Sequence, residues 1–175
     1  GYFIEGRSSI ETTLKNYRDA IESVLFQTLD GMAQGKTAEE LIQEVTLPET
    51  LRNLPYLKEH YGTIAWSVRG IFTGYAGWFD GNPTNLNRLS PFEEASKMLS
   101  LLGGSTPVLE HITQAMVKEQ WQWAMQLCDL LLYSNTCLPQ ARQYKAACCL
   151  QLAQQETSAN GRHYYQVSAQ EFSKK

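Results

Sequence analysis

Residues 120–152, QWQWAMQLCDLLLYSNTCLPQARQYKAACCLQL, decide the fold. Trp123, Ala124, Leu127, Leu130 and Leu131 recur at three- and four-residue steps, the repeat of one helix face. After a very short turn, Ala141, Tyr144, Ala147 and Leu150 repeat the pattern. The spacing therefore predicts two helices folded back on one another, with these two apolar rows facing.

Working outward, residues 106–155 read as three helices joined by very short turns, and GRHYYQVSAQEFSKK supplies another beyond them. The 120–152 stretch has about the length of one tetratricopeptide unit, with its small and aromatic positions. One unit cannot bury its face alone, so a neighbouring hairpin must cover it. SPFEEASKMLSLLGG offers that neighbour. Ser90 can cap it, Pro91 suits the first helical position and Gly103-Gly104 stops it. TPVLEHITQAMVKEQ repeats the same opening.

Toward the start, residues 8–34 carry Ile10, Leu14, Tyr17, Ile21, Val24, Leu25 and Leu29 on helical spacing. Ser8 or Ser9 is the expected cap and Gly35 the expected left-handed stop. Thr37 with Glu40 forms a capping box ahead of a helix to about Val45. LPETLRNLPYLKEHYGT, broken by Pro48 and Pro55, reads as one short helix and turns. TIAWSVRGIFTGYAGWF, from Thr63, has Arg69 as its single charge and is expected to be largely buried. Gly70, Gly74 and Gly77 in it leave room for another backbone or a ligand. No strand pattern appears. The chain reads as all-α, a multi-helix array of hairpins that is tetratricopeptide-like in its C-terminal half.

Composition narrows the function. The 175 residues carry a net charge of -3, without a basic stripe, which argues against a nucleic-acid partner. No apolar run approaches the ~18 residues of a membrane span, and no signal peptide opens the sequence. Cys128, Cys137, Cys148 and Cys149 lack CxxC spacing and read as buried free thiols of a reducing compartment. His60, His111 and His163 lie about fifty residues apart, so no metal site is expected within this chain and no cofactor is assigned to it. IEGR at 4–7 matches a tag-removal protease site, leaving residues 1–7 open between native and vector sequence.

No nucleophile–base order or phosphate loop is present. The exception to this blandness is YAGWFDGNP, residues 75–83. Trp78 and Phe79 read as packing at a helix end, and Asp80-Gly81-Asn82-Pro83 as a turn held by side-chain-to-backbone bonds. Tyr75, between glycines, could reach an anionic ligand. Arg69 lies about 600° of helical rotation away and points elsewhere.

YGTIAWSVRGIFTGYAGWFDGNPTNLNRLSPFEEASKMLSLLGG resembles the start of the dimerisation domain of alkyl sulfatases of the metallo-β-lactamase fold. Those enzymes show a YGT, a VRAIY-like segment, a YLGWFDGNP loop, a proline-rich step and a closing GG. NYRDAIESVLFQTLDGMAQGKTAEEL is similar to the helix leading out of their zinc domain, and QWQWAMQLCDLLLYSN to their WAAEL hairpin. The resemblance divides the chain into a lead-in helix at 1–46 and a dimerisation domain at 47–175, with GYFIEGR then native. It implies a sulfate-ester hydrolase whose two zinc ions sit in a catalytic domain outside this segment, and it implies a homodimer. It also implies that a tyrosine of this domain helps hold the sulfate of an alkyl sulfate substrate. Tyr75 matches that role, because Phe72 replaces the earlier tyrosine; Gly70 and Ala76 depart from the usual Ala and Leu. Catalytic and metal-binding residues are expected to be none here, and the fragment alone to be inert. The competing reading is a free-standing tetratricopeptide-like interaction module. A third is a carrier with a pocket under Trp66, Phe72 and Trp78.

Overall fold

The structure, a computed structural model, describes residues 3–174; Gly1 and Tyr2 of the GYFIEGR lead, and Lys175, lie outside the described residues. Among those described, every regular element is helical: α1 (Arg7–Ala33), α2 (Ala38–Glu44), α3 (Glu49–Arg52), α4 (Ile64–Ala76), α5 (Pro91–Leu101), α6 (Ser105–Val117), α7 (Trp121–Tyr133), α8 (Leu138–Gln155) and α9 (Ala159–Ser173). The helices fall into two compact units, divided between residues 86 and 87.

In the first unit α1 and α2 pack on α4. Ala20 and Val24 of α1, Leu41 of α2 and Val68 of α4 form its core with Val45, Leu47 and Leu51. The capping box at Thr37 and Glu40 forms as the sequence predicts. The start of α1 differs. Arg7 opens the helix, ahead of the expected Ser8 or Ser9 cap, with Gly6 at the cap and no side-chain capping bond. Gly6 takes φ 86°, so backbone geometry does what Ser8 or Ser9 was expected to do. Close approach occurs at a different glycine from those expected. A Cβ on Gly70 or Gly74 would meet nothing within 4 Å, whereas one on Gly31 would lie 2.1 Å from Leu41 Cδ2.

In the second unit α7 packs on α5, α6 and α8, and α9 lies along α8. Leu99, Val108, Ile112, Ala115, Ala124, Leu127, Cys128, Leu131, Ala141 and Cys148 form one cluster. Small side chains at Ala124, Ala141 and Cys148 let the helices approach closely. The predicted facing rows are half right. Ala124, Leu127, Leu131 and Ala141 are buried, but Trp123 and Leu150 turn outward, and Cys148 and Cys149 take the inner face of α8. Ser90 caps α5 in a full box with Glu93, and Gly103 and Gly104 take φ 83° and 103° at its end. Because those glycines already turn the chain, α6 starts at Ser105 with Gly104 at its cap; Thr106 and Pro107 lie inside it. Lys145 of α8 pairs with Asp129 of α7 and stands 4.9 Å over the Phe172 ring of α9, joining three helices.

Candidate functional site at the C-terminal end of α4

The candidate site is built on α4. Thr63 caps it, its side chain accepting from the Trp66 N–H at 3.1 Å. Ile64, Val68 and Ile71, at four- and three-residue steps, face the unit's core. Tyr75 is the next residue on that row, yet it is 66% exposed. The cover that α1 and α2 provide stops short of it. Val68 is the only residue of α4 that is fully buried, so the expectation of a largely buried helix is corrected. Among the described residues of the first unit, no helix buries the α4 side chains of Trp66 and Tyr75.

Gly77 closes α4 at Ala76, with φ 76° and its N–H on the Thr73 carbonyl. This left-handed conformation is one that only glycine takes without strain. The helix therefore does not run on to Phe79. The Trp78 and Phe79 rings meet, their centroids 5.5 Å apart, with Phe79 half-buried. Trp78 is 73% exposed, which corrects the expected core packing at the helix end. Trp66 and Trp78 are exposed while Phe72 packs against the core, so among the described residues the three rings are not gathered around one enclosed space.

The Asp80–Pro83 turn is as expected. The Asn82 N–H donates to Asp80 Oδ1 at 3.0 Å, and the Thr84 N–H to Asn82 Oδ1 at 3.1 Å. Asn85 Nδ2 donates to Asp80 Oδ2 at 2.6 Å, closing the loop. Asp80 and Asn82 thus have structural partners, and among the described residues no hydrogen bond engages the Tyr75 hydroxyl.

Arg69 takes a role the sequence left blank. Its Nε and Nη2 donate to the two carboxylate oxygens of Glu39 at 2.9 and 2.8 Å, a forked pair tying α4 to α2. The hydrogen bonds from Arg69 hold the Glu39 carboxyl below its ordinary value and raise the guanidinium in turn. Arg69 and Tyr75 do not converge. Thirty residues separate the pair, and no local pattern signals it.

Chemistry beyond Tyr75 is sparse. Among the described residues no three His, Cys, Asp or Glu side chains gather as a metal site, so the zinc pair implied by the resemblance does not fit this segment. All four cysteines are free. Burial pushes the Cys128 thiol up to about 12 and the Cys148 thiol up to about 11, which leaves both protonated and unreactive near neutrality.

The profile of the alkyl sulfatase dimerisation family matches residues 37–175. The chain belongs to that family. A linear primary-alkylsulfatase of Pseudomonas sp. is 38% identical over 172 residues, 98% of this chain and 33% of the relative. An (R)-specific secondary-alkylsulfatase, also from Pseudomonas sp., is 31% identical over 167 residues, 95% of this chain and 25% of the relative. The solved structure of a stereoselective inverting sec-alkylsulfatase, Pisa1 from Pseudomonas sp., superposes with a TM-score of 0.91 at 31% identity, covering 95% of this chain and 26% of that one. This alkyl sulfatase dimerisation chain thus spans a quarter to a third of the relatives it matches, and α1 lies before the part that the family profile covers.

Proposed function

We propose that the chain is the dimerisation and active-site-completing part of a zinc-dependent alkyl sulfatase-like hydrolase. Residues 1–46 lead in from a metallo-β-lactamase-fold domain, residues 47–175 form the dimerisation part, and the two zinc ions lie outside both. The observation that carries this is the match to alkylsulfatases along nearly the whole chain at up to 38% identity, together with a superposition at TM-score 0.91. The chain's own contribution is a homodimer contact and one phenol. A Tyr75 hydroxyl without an internal partner is free to donate to a sulfate oxygen. Its place on the packing row of α4 directs it toward whatever covers the end of that helix. Trp66 and Trp78, both exposed, are aromatic anchors of the kind that interfaces favour.

Static light scattering on the 175-residue chain is expected to give twice the monomer mass; a folded chain that stays monomeric at high concentration sinks the dimer. In the full-length protein, Tyr75→Phe is expected to lower turnover of a primary alkyl sulfate by ~10-fold or more, the scale of a lost charge-assisted hydrogen bond, while the melting temperature stays put. Unchanged kinetics remove Tyr75 from the site.

One feature favours the interaction-module reading instead. A groove of about 510 Å³ in the second unit is lined by Leu89, Pro91, Met98, Leu130 and Tyr133 together with the charged Arg88, Glu94 and Asp129. A peptide held there, with no hydrolase activity in the full-length protein, replaces the first reading by the second.

A further inference from the structure

Along its first half, α1 leaves apolar side chains uncovered. Thr13 and Asn16 are half-buried, while Ile10, Leu14 and Ile21 are 43%, 64% and 67% exposed. Asn16 Nδ2 donates to the Tyr56 hydroxyl at 2.7 Å, and the Tyr17 hydroxyl donates to the Tyr56 carbonyl at 2.6 Å. These bonds fix the helix in that rotation. The second half of the same helix is ordinary, with Ala20, Val24, Thr28 and Gly31 buried.

At 100° per residue, Ile10, Leu14 and Ile21 fall within a stripe roughly 40° wide and ~17 Å long, with Tyr17, which meets Tyr56, on its inner border. Scattered exposed apolar residues are normal, but a continuous stripe marks a contact surface. Its border supports this. Arg7 pairs with Glu11 at 2.7 Å, Arg18 with Asp19 at 2.6 Å, and Arg18 approaches Glu22 at 4.0 Å. By the same rotation Arg7, Glu11, Arg18 and Glu22 all lie along one edge of the stripe. An apolar strip with a charged, wet margin is the anatomy of an interface.

We propose that this stripe is the seat of the segment that precedes Gly1 in the full-length protein. The inference rests on the reading above that the chain is part of a longer hydrolase. A second copy of the chain is the less suitable occupant, because the dimerisation profile begins at residue 37 and leaves α1 out. The relatives match through α1 and are three to four times as long, so they carry ample chain to cover it. The bare stripe also lies at the end of α1 nearest the missing segment, and elements consecutive in sequence are usually neighbours in space. The segment is thus expected to offer an apolar face about three helical turns long, not a charged one.

The test is hydroxyl-radical footprinting of Leu14 and Ile21, read by mass spectrometry in both the full-length protein and the 175-residue chain. Oxidation of both residues is expected to fall about fivefold or more in the full-length protein, in line with the loss of exposed area at an interface core. In the 175-residue chain it is expected to stay the same from dilute monomer to concentrated dimer. Equal oxidation in the full-length protein overturns the proposal. So does protection that appears when the 175-residue chain dimerises, which assigns the stripe to a second copy, or a gene whose product starts at this chain. Leu14→Asp with Ile21→Asp gives a second readout. The full-length variant is expected to acquire a separate early melting transition and a protease cut ahead of α1, while the 175-residue variant melts with its parent. A full-length variant that melts and resists protease as the wild type does overturns the proposal too. None of these measurements reads sulfatase activity. An inactive protein with a protected stripe sinks only the hydrolase reading; an active one with an open stripe sinks only this one.

Discussion

The two units use the same element type to different ends. In the second, α7 buries four residues and α8 five, and Leu101, Val117 and Tyr133 stand exposed at the final positions of α5, α6 and α7. In the first, α4 buries one residue in thirteen, and exposed apolar side chains run along the length of α1 and α4. The second unit encloses the larger core, although Phe92, Trp123, Leu150 and Tyr164 also stand exposed on its helices. The first is amphipathic toward partners its own residues do not supply, and those bare faces are where the proposed contacts and Tyr75 are found.

The contrast breaks if truncating an enclosed side chain of the second unit costs no more than truncating a stripe residue of the first. Leu131→Ala, in the second, is expected to lose about 3 kcal/mol in denaturant unfolding, because Leu131 is fully enclosed. Ile21→Ala in the 175-residue chain should change stability by less than ~0.5 kcal/mol. A large loss at Ile21 means that the stripe is already packed. The one tight point of the first unit sharpens the picture. Gly31→Ala puts a methyl against the enclosed Leu41, an overpacking expected to cost about 2 kcal/mol despite the better helix propensity of alanine.

Smaller effects test the joints. Ser90→Ala removes the cap and box that start α5, a loss of about 1 kcal/mol in the melting curve of the second unit. Glu39→Gln breaks the fork to Arg69, and because both side chains are well exposed the loss is only ~0.5 kcal/mol. It has a pH signature. The Glu39 carboxyl lies below its ordinary 4.5 when folded, so its contribution is present above that value and fades as the pH falls through the folded one. The wild-type advantage over Glu39→Gln should vanish in that acid window; an advantage that grows in acid contradicts the geometry.

How much of this was legible in the sequence follows from range. The Thr37 box, the Ser90 cap, Pro91 and the Gly103-Gly104 stop depend on neighbours within four residues, and all four were readable; the reciprocal Glu93 half of the Ser90 box was not anticipated. The all-α fold followed from periodicity, and the family from the GWFDGNP run and its flanks. The start of α6 was not readable, since it turns on backbone φ at Gly104 rather than on a capping side chain. Trp123 and Leu150 were placed inward because hydrophobicity does not report which side of an apolar helix a neighbour occupies. The bare ends of α1 and α4 were invisible for the same reason. At the site, Tyr75 was picked out by its motif, but its place on the packing row needed the helix and its cover together. The Glu39–Arg69 fork joins two helices across thirty residues and left no trace in either.

The sulfur atoms of the second unit set how this protein ages. Cys128, Cys148 and Cys149 lie enclosed in its core, whereas Cys137, half-buried just ahead of α8, alone presents its thiol to the surroundings. Air therefore meets one thiol per chain, while peroxide also reaches the exposed thioether of Met98. Slow air oxidation in storage is expected to join chains in pairs through a single bridge at Cys137, leaving the core thiols unscrambled and that link reversible by a mild reductant.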